Sequence, residues 1–245
     1  VTSPLVLLHT NDLHGQLTPA KVERLREERE SADLFFDSGD AVKAGNLAIP
    51  LGVDPVWERL SSLNCTASCP GNRESHVLES GLSAKTRGRV HPVVCANWFR
   101  VDGSRVFAPS IIVQASGLTI GVVGVMVPMV TEKTSTKALS AFRWTDPVVA
   151  AREAAESLIG KVDLLLLLSH IGHTRDLALV EKVPVFDVVL GGHSHTVLPH
   201  PVKVGKTWVC QGGSHARYFG KYTWSDGSLT GGLELWSPKQ ATGTP

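Results

Sequence analysis

The stretch Leu5-Val6-Leu7-Leu8-His9-Thr10-Asn11-Asp12-Leu13-His14-Gly15 decides the fold. Its first four residues are apolar without alternation, the pattern of a strand buried on both faces, and the polar residues behind them are delivered at its carboxyl end. The charged segment Lys21 to Glu30 keeps Val22 and Leu25 on one side and predicts a helix exposed on the other. Asp33-Leu34-Phe35-Phe36-Asp37 predicts a second strand, which runs into Ser38-Gly39-Asp40. The chain therefore opens as strand, polar loop, helix, strand, polar loop.

The same device recurs downstream. Asp54-Pro55 is an N-cap followed by Pro at the first helical position, with Val56, Trp57 and Leu60 at helical spacing as far as Leu63. Thr66 to Cys69 predicts a short strand that empties into Pro70-Gly71-Asn72. Asp146-Pro147 repeats the cap before a helix from Val148 to Ile159; Val162 to Leu168 is a strand ending in Ser169-His170, and Val185 to Leu190 one ending in Gly191-Gly192-His193. Val93 to Ala96, Ser110 to Gln114 and Leu118 to Val125 read as antiparallel strands, with Ala115-Ser116-Gly117 as a turn. Thr207 to Cys210, Tyr218 to Trp224 and Leu229 to Trp236 read the same way, the last two joined through Ser225-Asp226-Gly227-Ser228. This mixture predicts an α/β protein built as a four-layer α/β/β/α sandwich, one domain over residues 1–237, with Pro238 to Pro245 a disordered tail.

Composition narrows the function. A chain of 245 residues, 42% hydrophobic and 19% charged, buries one large core, and a net charge of +1 with scattered Lys and Arg argues against polymeric nucleic acid as a partner. The apolar run Leu118 to Val130 is too short to span a membrane and contains two Gly and a Pro. The first strand begins so near Val1 that no signal peptide is visible, which with only four Cys predicts a cytoplasmic protein; export with the leader already removed is the alternative. Cys65, Cys69, Cys95 and Cys210 read as small buried hydrophobes, ahead of a Cys-bound zinc or a Cys65–Cys69 disulfide.

The polar clusters share one chemistry. Asp12-Leu13-His14, Gly39-Asp40, Gly71-Asn72-Arg73-Glu74, Ser169-His170 and Gly191-Gly192-His193-Ser194-His195 supply carboxylate, amide and imidazole groups enough to hold two divalent ions, which together can activate a water for in-line attack on phosphorus. Asp12 and His14, like His193 and His195, are two residues apart, and in extended backbone alternate residues share a face. Asp40 after Gly39 is either a two-oxygen bridge between ions or a turn residue, and Asn72 either a ligand through its oxygen or a phosphate donor through its nitrogen. A single His of this kind is more often structural; the conjunction carries the argument. His9 reads as a structural strand-end residue, His91 and His200, beside prolines, as solvent-exposed loop residues, and His173 and His215 as further lining of the same cleft.

Taken in order, Leu8-His9-Thr10-Asn11-Asp12-Leu13-His14-Gly15, Asp37-Ser38-Gly39-Asp40, Gly71-Asn72, Ser169-His170 and Gly191-Gly192-His193-Ser194-His195 resemble the calcineurin-like metallophosphoesterases, and among them the amino-terminal catalytic domain of the 5'-nucleotidase branch. The resemblance runs from Leu5 to about Trp236. It implies that Asp12, His14, Asp40 and His195 hold one ion and Asp40, Asn72, His170 and His193 the other, with Asp40 bridging. The ions expected are Mn, Zn, Fe, Co or Ni, with Mn favoured. The branch often has Gln or Asn where this chain has His195, so the imidazole is expected to tighten the first site.

Two departures qualify what the resemblance implies. After Gly71-Asn72 the family places a His that stabilises the transferring phosphoryl group and helps the leaving group depart, with an Asp three residues on to orient it; here those positions hold Arg73 and His76. Arg73 can clamp phosphate through bidentate hydrogen bonds but cannot release a proton, while His76 is either an acid acting through water or a surface helix residue. Family nucleotidases also carry a second domain that supplies an aromatic clamp for the base; this chain reads as the catalytic domain alone. The expectation is therefore dimetal hydrolysis of a small-molecule phosphate monoester or diester, with Asn72, Arg73 and His76 as catalytic candidates and no oligomeric state indicated. Two rivals are a thiosulfohydrolase-like hydrolase of a sulfur ester and a metal- and phosphate-binding module with impaired turnover.

Overall fold

The computed structural model describes residues 3–135 and 137–236, so the tail expected at 238–245 lies outside the described residues. In chain order the elements are β1 (Leu5–Thr10), α1 (Pro19–Arg29), β2 (Leu34–Asp37), α2 (Val56–Ser62), β3 (Ala67–Ser68), α3 (Glu79–Thr86), β4 (Trp98–Arg100), β5 (Ser110–Ala115), β6 (Leu118–Met126), β7 (Phe142–Trp144), α4 (Pro147–Glu156), β8 (Leu164–His170), α5 (His173–Lys182), β9 (Val188–Gly191), β10 (Val202–Val204), β11 (Thr207–Cys210), β12 (Tyr218–Ser225) and β13 (Ser228–Leu235). One sheet has the order β13-β12-β1-β2-β3 and a second the order β10-β11-β9-β8-β6-β5; β4 and β7 form a separate ribbon.

The run Leu164 to Leu168 explains how the layers stack. Leu164, Leu166 and Leu168 pack with Leu5, Leu7 and Phe36 of the other sheet, whereas Leu165 and Leu167 pack against Ala151, Ala155, Leu179 and Val180 of α4 and α5. Both faces are covered, so a helix-flanked strand needs no polar alternation. On the far side, Leu8 and Phe35 pack against Val22 and Leu25 of α1 and Trp57 and Leu60 of α2. The result is the four-layer α/β/β/α sandwich the sequence predicts. Asp146 caps α4 by accepting from the Val148 and Val149 amides, with Pro147 opening the helix. The β5–β6 and β12–β13 hairpins each turn through two left-handed residues, Ser116-Gly117 and Asp226-Gly227, the geometry that matches strand twist.

Three strand readings are corrected. Leu118–Met126 is antiparallel to β5 but parallel to β8. Thr207–Cys210 is antiparallel to β10 but parallel to β9, and it behaves as an interior strand: Val209 packs into the outer helical layer and Cys210 into the inter-sheet core. Val93 to Ala96 is not an antiparallel strand; it makes only isolated parallel bridges, Ser68 with Val93 and Val94 with Ala108. Its amides go to three different neighbours, with Val94 donating to Ser68 O, Cys95 to Ala108 O and Ala96 to Gly124 O, so the segment crosses between layers. Gly124 permits that crossing, since a Cβ there would meet Val94 O at 2.0 Å.

Candidate metal centre

The site gathers where parallel strands end. Asp12 and His14 follow β1, Asp40 follows β2, Asn72 follows β3, His170 closes β8, and His193 and His195 follow β9. All seven expected ligands meet there. His14 Nε2 lies 3.1 Å from His195 Nε2, His195 Nε2 3.2 Å from Asp12 Oδ1, and His170 Nε2 3.5 Å from Asp40 Oδ1. Asn72 Oδ1 lies 2.8 Å from His193 Nδ1 and 3.3 Å from His170 Nε2.

The convergence arises differently from the alternate-residue reading. Asp12, His14, Asp40, His193 and His195 have φ of 50°, 50°, 53°, 76° and 55°, so they occupy left-handed backbone rather than extended strand. Non-glycine residues there carry strain that the surroundings must hold, and such residues concentrate at functional sites. His193 and His195 consequently do not share a face: His193 turns to Asn72 while His195 turns to Asp12 and His14.

The donor set has the character of a cation site. His170 Nδ1 lies 2.6 Å from the Ser38 carbonyl and must donate to it, so in a neutral ring the lone pair is on Nε2. That lone pair faces only acceptors, namely Asn72 Oδ1, Asp40 Oδ1 and, at 4.0 Å, Asp12 Oδ1. His14 Nδ1 is buried without a hydrogen-bond partner, and Asp12 Oδ1, also buried, has His195 Nε2 at 3.2 Å. Nitrogen and oxygen lone pairs brought this close are satisfied by positive charge between them, which a metal ion supplies. Asp12, His14 and His195 form one group able to hold an ion, and Asp12, Asp40 and His170 another. Asp12 is common to both groups; Asp40 belongs to the second, and its Oδ2 lies 3.9 Å from His14 Nδ1 of the first.

The electrostatics fit. Burial, helped by the charge of Arg73 at His14 and of His170 at His193, lowers the pKa of both imidazoles to about 4 and keeps them neutral, the form that coordinates metal. Burial opposes ionisation of Asp12, but His195 and His170 outweigh it and the carboxyl titrates below its usual range. For Asp40, burial reinforced by the charges of Glu74 and Asp12 prevails over His170 and raises the pKa to about 6. The hydrogen bond to Asp12 raises that of His195.

Arg73 stands at the edge of this cluster. Its amide donates to Asp40 Oδ1 at 2.7 Å, its Nη1 to the Lys43 carbonyl at 3.0 Å, and its Nε is 3.9 Å from Asp40 Oδ2. His76 does not join the cluster, and it is not a surface helix residue either. It is buried ahead of α3, its Nδ1 accepts from the Leu78 amide, and its ring fills the space a Cβ on Gly81 would take. His215 lies against the site, its ring centroid 4.6 Å from that of His14. The His173 amide opens α5 by donating to Ser194 Oγ. His9 is buried with Nε2 3.0 Å from Ser38 Oγ, and His200 is exposed, as expected. His91 is not: it is buried, with Nε2 2.7 Å from Ser68 Oγ.

Several supporting groups have no role in the sequence reading. Glu74 is buried and accepts the amides of Asp40, Val42 and Gly71 at 2.8, 3.0 and 2.8 Å, tying the loop after β2 to the loop after β3. Asn11 donates to Asp12 Oδ2 and to Gly213 O, and Gln211 accepts from Ser194 Oγ and the Thr196 amide. An acidic residue directly after Gly-Asn-Arg was the available signal for Glu74.

Comparison with known proteins agrees with this geometry. The family model described as calcineurin-like phosphoesterase matches residues 5–197. The chain is 28% identical over 234 residues to "Uncharacterized metallophosphoesterase YunD" of Bacillus subtilis (strain 168), covering 88% of this chain and 49% of that protein. It is 24% identical over 223 residues to the 5'-nucleotidase of Vibrio cholerae, covering 79% of this chain and 40% of that protein. The crystal structure of a 5'-nucleotidase precursor from Thermus thermophilus superposes with a TM-score of 0.78 at 24% identity, over 95% of this chain and 54% of that one. The chain therefore spans about half the length, or less, of these relatives. With its fold, its strand-end Asp, Asn and His residues and a family match across most of its length, this chain belongs to the calcineurin-like phosphoesterases.

Proposed function

We propose that the chain hydrolyses small-molecule phosphate esters with two divalent ions, Asp12, His14, Asp40 and His195 holding one and Asp40, Asn72, His170 and His193 the other. The observation that carries this reading is the convergence of carboxylate, amide and imidazole donor atoms at the strand ends, above all His170 Nε2 opposite Asp40 Oδ1 and Asn72 Oδ1. Bound ions supply Lewis acidity and lower the pKa of water enough to provide a nucleophile near neutral pH. Ser38 fixes the proton of His170 on Nδ1, and Glu74 holds the Asp40 and Asn72 loops in register. Arg73 uses only Nη1 on the Lys43 carbonyl, so most of its five N–H donors remain for the equatorial oxygens of the phosphoryl group. Its guanidinium stays protonated, so it clamps charge and hands no proton to the leaving group.

Mn is the favoured ion for this mixed oxygen and imidazole set, and a nucleotide-derived ester is one candidate substrate, as the Vibrio relative suggests. No helix among the described residues is long and apolar enough to cross a membrane. The four free, buried thiols favour a reducing compartment, and with it the cytoplasm. The test is a panel of phosphate esters assayed on metal-stripped protein resupplied with Mn, Co, Zn, Mg or Ni, alongside metal counting. Turnover that follows ion occupancy supports the reading. Tight phosphate binding without turnover under any ion would replace it with a binding module, and release of sulfate from a thiosulfonate carrier with a sulfur-ester hydrolase.

A further inference from the structure

Asn72 is held from behind by two residues that also line a cavity. Its Nδ2 donates to Asn46 Oδ1 at 2.9 Å, and its carbonyl accepts from Ser75 Oγ at 2.8 Å. Asn46 and Ser75 form part of the wall of a cavity of about 240 Å³ whose remaining lining includes Leu47, His76, Val77, Met129 and Trp144. A larger cavity beside Phe142 and Arg143 has no residue that hydrogen-bonds a candidate ligand. The smaller one is a built feature. Lys85 is fully buried, and its Nζ donates to Gly45 O, Asn46 O and Ser75 O, each at 2.8 Å, so a single ammonium fixes both walls at once.

The lining has a definite chemistry. Leucine, valine, methionine, an indole and an imidazole offer apolar and aromatic contact, Asn46, Ser75, Thr134 and Ser135 add neutral polar groups, and no Asp, Glu, Lys or Arg lines the cavity. Its volume lies below the roughly 300–1,000 Å³ typical of sites for drug-sized ligands, which suits one ring or a short branched chain and not a nucleoside. Leu47 is 74% exposed and has apolar surface that a bound organic group would cover.

We propose that this cavity is the seat of the alcohol portion of the ester, and that the substrates are phosphates of small aryl, benzylic or branched apolar alcohols. The proposal rests on the hydrolase reading above for its phosphate end and on the Asn46–Asn72–Ser75 connection for its organic end.

Benzyl phosphate and methyl phosphate test it, because both leave as alkoxides and so differ mainly in what the cavity can hold. Binding of benzylphosphonate and methylphosphonate to the Mn-loaded protein, measured by calorimetry, gives a readout without turnover. The benzyl compounds are expected to have KM and Kd lower by about tenfold or more, the discrimination a hydrophobic pocket provides for added apolar groups. Val77→Trp, which fills the cavity, should erase that preference and leave methyl phosphate turnover and ion content unchanged; Met129→Phe should narrow it. Equal KM and Kd for the two alcohol groups in the wild type, or a preference that survives in both variants, overturns the proposal. A variant-sensitive preference among the phosphonates without hydrolysis of any ester keeps the subsite and removes the hydrolase reading instead.

Discussion

At the residue scale, Asp40 and Arg73 carry the sharpest expectations. Asp40→Asn keeps an oxygen for the Arg73 amide but loses the charge that faces both histidine groups, so both ions should bind poorly. Losing a partner of a metal ligand already costs about 10- to 100-fold, so loss of a bridging ligand should exceed about 100-fold in turnover. Two tightly held ions with unchanged activity after that substitution would remove Asp40 as the bridge. For Arg73, the absence of a transferable proton predicts faster hydrolysis of aryl phosphates than of alkyl monophosphates, since a missing general acid costs about 10²- to 10⁴-fold only where the leaving group needs protonation. Single-turnover rates independent of leaving-group pKa would refute that role. Burial, with the charge of Arg89 adding to it, lowers the pKa of His91 to about 4 from 6.5. The unfolded chain takes up that proton near pH 6.5 and the folded chain only near 4, so the stability is complete above 6.5 and is lost as pH falls through that window. This amounts to about 2 kcal/mol between pH 7 and pH 5. Urea midpoints of wild type and His91→Gln should differ in pH slope by that amount, and parallel slopes would count against it. The candidate ligands were legible because five ordered clusters of Asp, Asn and His at strand ends together resemble one family, although each cluster alone is weak. The burial of His91 and the role of Glu74 were not, because the residues beside them in sequence do not say which distant hydroxyl or amide they will meet.

At the scale of elements, the site depends on how loops are fastened, and Glu74 fastens two of them. Glu74→Gln would turn an NH₂ toward at least one of the amides of Asp40, Val42 and Gly71, donor against donor. A buried unsatisfied group costs about 1–3 kcal/mol, so the denaturation midpoint should fall by an equivalent amount, with weaker binding of the ion that Asp40 and Asn72 share. Unchanged midpoint and ion affinity would show that the staple is dispensable. The longer strands and the helices after Asp54-Pro55 and Asp146-Pro147 were readable because apolar runs and Asp-Pro pairs are local signals, whereas the three-residue strands β4, β7 and β10 are too short to show a pattern. α3 was not readable either, since Gly81 and small polar residues weaken its propensity and the glycine is required where the His76 ring sits. α5 is preceded by Gly172, with φ of 95° and no side chain to cap the helix, so its start had no sequence mark. The parallel pairing of β11 depends on which strand lies beside it, a tertiary fact that alternation cannot encode.

At the scale of the molecule, the two sheets contribute opposite halves of one site. Asp12, Asp40 and Asn72 follow strands of the five-stranded sheet, and His170, His193 and His195 those of the six-stranded sheet. Protein bonds already join the sheets there, with Ser38 Oγ donating to Leu190 O and His170 Nδ1 to Ser38 O. Ions held between the halves would add cross-links that the unfolded chain lacks. A ligand that binds only the folded state stabilises it by about 4 kcal/mol when its free concentration is 1,000 times Kd. Chelation of the Mn-loaded protein should therefore lower the melting temperature. It should also speed amide exchange at residues 11–15, 38–42 and 192–196 more than at the hairpin turns near Gly117 and Gly227, which lie away from the candidate ligands in sequence and belong to single sheets. Full removal of metal with an unchanged melting temperature would mean that the protein's own bonds hold the strand ends, and the left-handed backbone at Asp12, His14 and Asp40 would then be paid for by packing alone. A fall in melting temperature with uniform exchange would mean that the ions stabilise the sandwich globally without ordering the site.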